Sequence, residues 1–380
     1  MNDKHYIIGY DAKRLVRNGT GLGNYGRNLI NALTEIAPHT QFRLYVPDEG
    51  RAHLREQVVM RDNVRWVYPQ GINYPFKKDL WRSRLMVADL LRDHVQLYHG
   101  LSGKLPAGLK HAGLPSVVTI HDLIFLRHPE YYHWFDAKIY KHQFYNTLRE
   151  ATCIIAISEC TKRDILYYSD YPADKIKVIY QSASTRFKTR STPQQLQAAR
   201  ERYHLPECYV LNVGTIEERK NVLLAVQALE QLPAHVHLVI VGRATPYATR
   251  VSRWAAEHGV ESRVHFLSNV PNDALHAIYQ QAACFVYPSR YEGFGIPIIE
   301  AIQSGLAVVG ATGSCLEEAG GPDCAYVDPD DVPGMAAAIS DILQNPDTTA
   351  QRVARSQQWV KRFENADVAQ QVIAVYQELI

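Results

Sequence analysis

The sequence predicts an α/β protein made of two doubly wound domains, each with a parallel β-sheet covered by helices on both faces. The chain has 380 residues, a length typical of roughly two domains. Short runs rich in Val and Ile alternate with longer amphipathic segments, as expected when helices connect parallel strands. A polar stretch, Ser182–Pro193, interrupts this alternation and shows neither the strand nor the helix period.

The first half contains six predicted strands with helical patterns between them. The strands are Ile7–Asp11, Phe42–Val46, Val95–His99, Val117–His121, Cys153–Ile157 and Lys177–Tyr180. The helices include Gly23–Ile36, Ser83–His94 and Tyr132–Glu150. Each strand run is short, apolar and rich in β-branched residues, which favours a strand buried on both faces.

The second half repeats the same rhythm. We predict strands at Tyr209–Gly214, His237–Gly242, Val264–Leu267, Ala283–Tyr287, Ala307–Gly310 and Ala325–Val327. We predict helices at Asn221–Gln231, Tyr247–His258, Asp273–Ala282, Pro297–Ser304 and Val332–Asn345. The last segment, Thr348–Ile380, has a long helical pattern with a break near Phe363–Ala366 and no strand of its own.

Composition and charge exclude several classes of protein. No apolar run approaches the roughly 18 residues that span a bilayer, and the run Tyr6–Tyr10 is too short for a signal peptide. The six cysteines form no C-x-x-C pair, so we expect buried thiols, a reducing cytoplasmic location and no structural metal site. No dense basic run with interleaved aromatic residues is present, which argues against a nucleic-acid partner.

The net charge of +2 is unevenly distributed. Residues 1–185 carry +7 (25 Lys and Arg against 18 Asp and Glu), and residues 186–380 carry −5 (16 against 21). This asymmetry could be chance scatter. It could also indicate that the basic half faces an anionic acceptor or anionic lipid head groups, as in a peripheral protein on the inner face of a membrane.

The segment Tyr287–Ala301 has the strongest chemical signal. A predicted strand ends near Tyr287, and a helix opens near Pro297, a residue suited to a first helical turn. The backbone N–H groups of Gly293, Phe294, Gly295 and Ile296 would lie at the positive end of the helix dipole, where phosphate oxygens or sugar hydroxyls bind well. Glu292 and Glu300 frame the loop and can accept hydrogen bonds from hydroxyl groups. Considered without the rest of this segment, the glycines could equally form an ordinary tight turn.

A basic pair, Arg219 and Lys220, follows the first predicted strand of the second half. These cations suit a diphosphate, Arg as a bidentate fork and Lys as a point charge. A surface basic pair at a helix start is the alternative. Cations oppose the dipole there, which argues against a purely stabilising role.

Two further features lie in the first half. His121 ends a predicted strand, although a single His is more often structural. Gly21 and Gly23 open the first long helix, and with Gly26 they complete G-x-G-x-x-G. A dinucleotide site would use this pattern, but the loop starts late after its strand, and the segment Tyr45–Asp48 fits a ribose-binding strand end poorly.

Together these motifs resemble the retaining glycosyltransferases of family 4, which have the GT-B fold of two Rossmann-like domains facing a cleft. The string Glu-Gly-Phe-Gly-Ile-Pro-Ile-Ile-Glu-Ala at 292–301 matches the family's paired-glutamate signature, and Gly-Thr-Ile-Glu-Glu-Arg-Lys-Asn at 214–221 matches one variant of its phosphate loop. Many members have Arg at the position of Thr215. Here the diphosphate contacts would therefore rest on Arg219 and Lys220.

The resemblance implies a role for each motif. Glu292 would contact the donor sugar and Glu300 the ribose, while the amides of residues 293–296 hold sugar and diphosphate. His121 would touch the donor sugar, and the Gly21–Gly23 loop would lie near the diphosphate and the acceptor. Four further donor-binding candidates match family loops, namely Gly214, Thr215, Asn269 and Val270.

The resemblance also implies an organisation and a reaction. Residues 1–185, with a returning C-terminal helix at about 360–380, would form the acceptor-side domain, and residues 186–359 the donor domain. A hexose would move from a nucleotide sugar to a glycan or lipid-linked acceptor in surface polysaccharide or lipopolysaccharide assembly. Its anomeric configuration would be retained, with no metal or other cofactor. The donor is best assigned as GDP-mannose, with UDP-glucose, UDP-GlcNAc and dTDP-rhamnose as alternatives.

Three other functions remain open at this point. A sugar-nucleotide epimerase of the same fold would isomerise the donor without an acceptor. A dehydrogenase would use the Gly21 loop for a dinucleotide. A non-catalytic sugar-nucleotide sensor would bind without turnover, although the presence of His121, Arg219, Lys220 and Glu292 argues against it.

Overall fold

A computed structural model describes residues 6–70 and 75–380, and the side chains of residues 75–77 are outside the description. The chain divides into two compact units. Unit 1 is Met1–Ser182 with Phe363–Ile380, and unit 2 is Ala183–Arg362. The division at Ser182 falls at the start of the polar stretch Ser182–Pro193.

Within its described residues, unit 1 has one parallel sheet of seven strands in the order β3-β2-β1-β4-β5-β6-β7. The strands are β1 Ile7–Asp11, β2 Gln41–Tyr45, β3 Val64–Val67, β4 Leu97–Gly100, β5 Ser116–Ile120, β6 Cys153–Ala156 and β7 Ile176–Val178. All six predicted strands are confirmed. The edge strand β3 was not predicted, because a four-residue run containing Arg65 is too short to show a period.

Helices connect these strands. The α-helices of unit 1 are Lys13–Arg17, Gly21–Ile36, Ala52–Arg55, Pro75–Leu80, Met86–Arg92, Ile124–Arg127, Trp134–Glu150, Glu159–Tyr168 and Asn365–Leu379. A π-helical turn, Trp81–Leu85, precedes Met86–Arg92, and short 3₁₀ turns lie at Pro129–Tyr131 and Ala173–Lys175. The predicted helix Ser83–His94 is thus partly a π turn, a local geometry that hydrophobic periodicity does not report.

Unit 2 has a six-stranded parallel sheet in the order β10-β9-β8-β11-β12-β13, counted over the described residues. Its strands are β8 Tyr209–Val213, β9 His237–Val241, β10 Val264–Leu267, β11 Cys284–Tyr287, β12 Val308–Ala311 and β13 Ala325–Val327. Its α-helices are Pro193–Tyr203, Val222–Ala228, Pro246–Glu257, Asn272–Gln281, Ile296–Gln303, Leu316–Gly320, Val332–Gln344 and Pro346–Trp359. The 3₁₀ turns are Thr185–Lys188, Glu218–Lys220, Leu229–Gln231, Glu261–Arg263 and Val360–Phe363, the last of which crosses into unit 1.

The C-terminal segment returns to unit 1. Its helical pattern breaks at Val360–Phe363, close to the predicted position, and helix Asn365–Leu379 packs against helix Gly21–Ile36. Val368, Val372 and Tyr376 are buried in the core of unit 1. The phenol oxygen of Tyr376 lies 2.6 Å from Nδ1 of the buried His99, so a polar contact also fixes this helix.

Both sheets have a point where the strand order reverses, and ligands of open parallel sheets bind beyond the carboxyl ends of the strands at such points. In unit 1 this point lies between β1 and β4, and in unit 2 between β8 and β11. The loops that follow β8 and β11 carry Arg219, Lys220 and Glu292.

Candidate active site

The loop after β11 is held in place by its surroundings in unit 2. Helix Ile296–Gln303 begins directly after it with Pro297 in the first turn, as predicted. The helix buries Ile298, Ile299 and Ile302. A Cβ on Gly295 would lie 2.9 Å from Cβ of Ala319, so only glycine allows the neighbouring helix to approach this closely.

The loop after β8 lies beside it because β8 and β11 are neighbours in the sheet. The backbone N–H of Arg290 donates to the carbonyl of Arg219 at 2.9 Å, which joins the two loops. Asn221 has a φ of +53°, and its amide donates to the carbonyl oxygens of Pro288 and Pro329. Asn221 therefore both terminates the 3₁₀ turn that carries Arg219 and Lys220 and anchors it to the β11 loop.

Arg219, Lys220 and Glu292 form one ion-pair cluster. Nζ of Lys220 lies 2.6 Å from Oε1 of Glu292, and Nη1 of Arg219 lies 2.8 Å from Oε2. The Oε1 atom also accepts from the hydroxyls of Ser289 and Tyr287 at 2.9 and 3.1 Å. The three charged side chains are only 13–15% exposed, so solvent screens these contacts weakly.

This geometry fixes the charges of the cluster. Burial alone would raise the pKa of Glu292, but the charges of Lys220 and Arg219 outweigh it and hold the pKa at about 2. Burial would lower the pKa of Lys220, but Glu292 outweighs it and raises that pKa above its ordinary value. All three groups are therefore ionised at neutral pH, and Glu292 is a weak base.

The cluster keeps donor capacity for an anion. Among the described residues, Lys220 uses two of its three N–H bonds, on Tyr287 and Glu292. Arg219 uses N–H bonds on the carbonyl of Tyr291, on Glu217 and on Glu292, which leaves part of its five-donor fork. The remaining donors suit phosphate oxygens.

Gly214 leaves room for the side chain of Lys220. Gly214 has a φ of +156°, and a Cβ there would lie 3.1 Å from Cδ of Lys220. Thr215 follows it and is partly buried. Asn269 and Val270 instead follow β10, the edge strand, which β9 separates from β8. The described contacts thus bring Gly214 to the cluster and leave Asn269 and Val270 two strands away.

Glu300 has a different environment from Glu292. It lies in helix Ile296–Gln303, and its Oε2 accepts a hydrogen bond from the hydroxyl of Tyr279 at 3.3 Å. Burial raises the pKa of Glu300 to about 7, and the Tyr279 hydrogen bond and the charge of Arg186 offset this only in part. Glu300 therefore titrates near neutral pH, which the sequence did not predict.

In unit 1, His121 follows β5, and both of its ring nitrogens have partners. Nε2–H donates to the carbonyl of Leu101 at 2.9 Å, and Nδ1 accepts from the amide of Gln181 at 2.8 Å. Burial lowers the pKa of His121 to about 4, so the ring is neutral at pH 7. Tyr25 packs edge-on against it, with ring centroids 4.8 Å apart.

The glycine loop lies near His121. Helix Gly21–Ile36 starts at Gly21, and a Cβ on Gly23 would lie 1.8 Å from the carbonyl oxygen of Asn18, so Gly23 is required by the turn. Leu22 and His121 line the same pocket of about 630 Å³. Lys104, Arg82 and four aromatic side chains also line this pocket. These side chains were not predicted from the sequence, although Lys104 lies only a few residues after a predicted strand end, where ligand-binding residues are expected.

Two family models match the chain. The model described as Glycosyltransferase Family 4 matches residues 19–186, and the model described as Glycosyl transferases group 1 matches residues 197–359. The chain belongs to the family 4 glycosyltransferases. This confirms the resemblance on which the site roles were based, and it confirms that the protein is a sugar-transferring enzyme.

Curated relatives of this glycosyltransferase include two Escherichia coli proteins. The O-antigen chain mannosyltransferase B is 28% identical over 387 residues, which cover 95% of this chain and 96% of that protein. The serotype-specific mannosyltransferase WbdA is 29% identical over 238 residues, which cover 60% of this chain and 29% of that protein. The match to the first relative therefore runs through both units.

A solved structure of Anabaena HepE, in complex with UDP and glucose, has the same fold. It superposes with a TM-score of 0.76 at 19% identity and covers 98% of this glycosyltransferase and 100% of that chain. The predicted GT-B fold of two Rossmann-like domains is confirmed. The orientation of the two domains about a cleft stays a prediction.

Other predictions concern metals, thiols and membranes. None of the six cysteines, all of which lie in the described part of the chain, forms a disulfide. In the described part of the glycosyltransferase, no three His, Cys, Asp or Glu side chains are arranged to hold a metal ion. No helix there is both long enough and apolar enough to span a bilayer.

Proposed function

We propose that this glycosyltransferase moves a hexose, mannose from GDP-mannose, to a lipid-linked or oligosaccharide acceptor during O-antigen and lipopolysaccharide assembly. In this proposal unit 2 holds the donor and unit 1 holds the acceptor. The ion-pair cluster of Arg219, Lys220 and Glu292 carries the argument, because it presents fixed cations with spare donors at the strand-order reversal of unit 2.

The cluster suits departure of a nucleoside diphosphate. Negative charge grows on the diphosphate as the sugar leaves, and cations already held in place stabilise it without reorganisation. Glu292 keeps Arg219 and Lys220 in position, and Gly214 lets the Lys220 side chain pass. In this way the protein would supply the charge that a metal ion supplies in other transferases, so we propose that no metal cofactor is needed.

We propose that the reaction retains configuration through front-face attack. Glu292 is a poor candidate for a covalent nucleophile, because both carboxylate oxygens contact cations and its pKa is about 2. His121, the other candidate for contact with the sugar, is neutral, and both of its ring nitrogens already have hydrogen-bond partners. The leaving phosphate would then take the proton of the acceptor hydroxyl, and Glu292 and His121 would position the donor sugar.

The choice of sugar rests on the relatives. The two curated proteins reported above are mannosyltransferases, and the O-antigen chain mannosyltransferase B matches almost the whole chain. UDP-glucose, UDP-GlcNAc and dTDP-rhamnose remain the alternative donors. We further propose a cytoplasmic enzyme that contacts the inner face of the membrane through its basic half, where a lipid-linked acceptor would be presented.

A thermal-shift screen of GDP-, UDP-, dTDP- and ADP-sugars tests the donor. A ligand at about 100 times its Kd stabilises the folded state by about 2.7 kcal/mol, so GDP-mannose should raise Tm by several degrees. The Lys220→Met variant should lose this shift. A larger shift with another nucleotide would replace GDP-mannose as the donor, and no shift with any would overturn the sugar-nucleotide site. Isomerised sugar nucleotide without acceptor, detected by mass spectrometry, would indicate an epimerase instead.

A further inference from the structure

The pocket of about 630 Å³ in unit 1 has two chemically different walls. One wall is basic and carries Lys13, Arg14, Arg82 and Lys104. The other wall is aromatic and carries Phe125, Tyr132, Tyr140 and Phe144. A ligand that fills this pocket would meet both positive charge and aromatic rings.

Two of the four cations on the basic wall have an acidic partner. Arg82 holds the buried Asp11 through both carboxylate oxygens. Nζ of Lys13 lies 3.0 Å from Oδ1 of Asp79. These acids neutralise two of the cations, and Arg14 is exposed to solvent.

Lys104 is the exception. It is partly buried, and it makes no ion pair with any described residue. Burial lowers the pKa of Lys104, and the charges of Arg82 and Lys13 lower it further, while Asp11 and Asp79 offset this only in part. Asp11 and Asp79 are paired with Arg82 and Lys13, and an ammonium group held partly out of water costs stability unless an anion pairs with it directly. Such an arrangement is typical of a binding site rather than of a structural contact.

The backbone around Lys104 is built to hold this position. A Cβ on Gly100, at the end of β4, would lie 2.3 Å from the carbonyl oxygen of Lys104, so only glycine lets the loop pass this close. Gly103 has a φ of +71°, and its N–H donates to the carbonyl of Thr119 at 2.8 Å. The π turn Trp81–Leu85 places Arg82 on the same wall, and π turns occur often at functional sites.

The aromatic wall is a packed cluster. Phe125 contacts Tyr132, Tyr140 and Phe144, with ring centroids 5.8–6.5 Å apart and the rings edge to face. Tyr140 remains 42% exposed, so part of its ring is available to a ligand. Tyrosine rings combine an apolar face with a hydroxyl, which suits the mixed C–H and hydroxyl surface of a sugar.

We propose that this pocket selects a phosphorylated glycan as the acceptor, with Lys104 as the charge partner of the phosphate and the aromatic wall as the platform for the sugar. This inference rests on the proposed function, because it names the acceptor class of that reaction. The phosphate can belong to a free sugar phosphate or to the phosphate that links a glycan to its lipid. Both present the same chemistry to Lys104.

Binding of two matched probes tests the proposal without any transfer reaction. Isothermal titration calorimetry would compare mannobiose 1-phosphate with mannobiose. The phosphorylated probe should bind at least tenfold more tightly to the wild type. Lys104→Gln should remove this difference and leave mannobiose binding unchanged, whereas Tyr140→Ala should weaken both probes alike. Lys110→Gln, an exposed lysine on the following segment outside the pocket, should change neither.

One further probe distinguishes a lipid-linked phosphate from a free sugar phosphate, and one further variant checks which site binds the probe. An octyl diphosphate-linked mannobiose should show the same dependence on Lys104 if a lipid-linked phosphate is recognised, and a dependence limited to mannobiose 1-phosphate would assign the pocket to free sugar phosphates. A preference that persists in Lys104→Gln but disappears in Lys220→Met would place the probe at the unit 2 cluster and overturn the proposal. Equal binding of the phosphorylated and unphosphorylated probes to the wild type would overturn it too.

These results remain distinguishable from failure of the proposed function. Phosphate-dependent binding through Lys104, with no nucleotide-sugar binding by unit 2, would keep the pocket and reject the transferase proposal. Nucleotide-sugar binding without any phosphate preference in the pocket would keep the transferase proposal and reject the role of the pocket. Lys104 has no described ion-pair partner, so its substitution should leave Tm unchanged or slightly raised, which checks that the variant is folded.

Discussion

Glu292 and Glu300 bound the same short segment of unit 2 and have opposite electrostatic environments. Glu292 contacts two cations, which hold its pKa at about 2 despite burial. Burial raises the pKa of Glu300 to about 7, and the Tyr279 hydroxyl does not compensate. Two identical side chains in one sequence motif therefore differ in protonation at neutral pH, and their surroundings decide which one is a fixed charge.

These different environments suit Glu292 and Glu300 to different roles. Glu292 is a permanent anion that contacts Arg219 and Lys220, the cations proposed to bind the diphosphate. Glu300 can hold or release a proton near pH 7, so a ligand that donates hydrogen bonds to it changes its charge. Four experiments test this contrast.

The largest effect is expected at Glu292. Glu292→Gln keeps the shape but removes the charge that positions both cations, and loss of such electrostatic stabilisation costs roughly 4 kcal/mol or a thousandfold in kcat/KM. Lys220→Ala should be at least as severe, because it removes the proposed diphosphate contact. Steady-state transfer from the donor that the thermal screen identifies is the measurement. Glu218→Gln, an exposed acid on the same loop, should retain near-normal turnover.

A double variant separates chemistry from folding. Glu292→Gln leaves Arg219 its ion pair with Glu217 but removes the ion pair of Lys220, and an unmatched buried cation is destabilising. Adding Lys220→Met restores the local charge balance, so Tm should recover while activity stays absent. Recovery of turnover together with Tm would mean that the cluster serves the fold and not the reaction.

Much of this contrast lay beyond what the sequence alone could predict. The strands with long apolar runs, such as β8 and β9, were predicted to within a residue or two, because strong patterns dominate local structure. The strand–turn–helix around Glu292 followed from Pro297 and the glycines. The pairing of Glu292 with Lys220, by contrast, depends on β8 and β11 becoming neighbours in the sheet. The raised pKa of Glu300 depends on burial against Tyr279.

The pocket of unit 1 illustrates the same limit. Lys104 and Tyr140 are far apart in sequence, and each alone is an ordinary residue. Their common pocket arises only when the loop after β4 and helix Trp134–Glu150 are brought together by the sheet. A π turn such as Trp81–Leu85 leaves no periodic signal either, so Arg82 could not be placed from the sequence.

A smaller effect is expected on stability through Glu300. Its folded pKa of about 7 lies above its ordinary value, so between about pH 4.5 and 7 the unfolded chain loses a proton that the folded chain keeps. The free energy of unfolding therefore falls as pH rises through this window, by at most roughly 3 kcal/mol. Glu300→Gln should remove this loss and raise Tm at pH 8 but not at pH 4.5. Glu317→Gln changes an exposed acid in the same unit and should not raise Tm at pH 8. An equal rise in Tm in both variants would contradict the raised pKa of Glu300.

The smallest effect is expected on donor affinity, and it measures the contrast directly. If ribose hydroxyls donate to Glu300, they bind its carboxylate form better than its neutral form, because hydrogen bonds to an ionised acceptor are about twice as strong. Donor binding should then release a proton and tighten as pH rises from 6 to 8, by up to about tenfold. Calorimetry with the intact nucleotide sugar measures this, since a free terminal phosphate would itself titrate near about pH 6. Glu300→Gln should bind more weakly at pH 8 and show no dependence on pH. A wild-type affinity that does not change across this pH range would mean that Glu300 does not contact the nucleotide. Of the two glutamates, only Glu292 would then keep a role in donor binding.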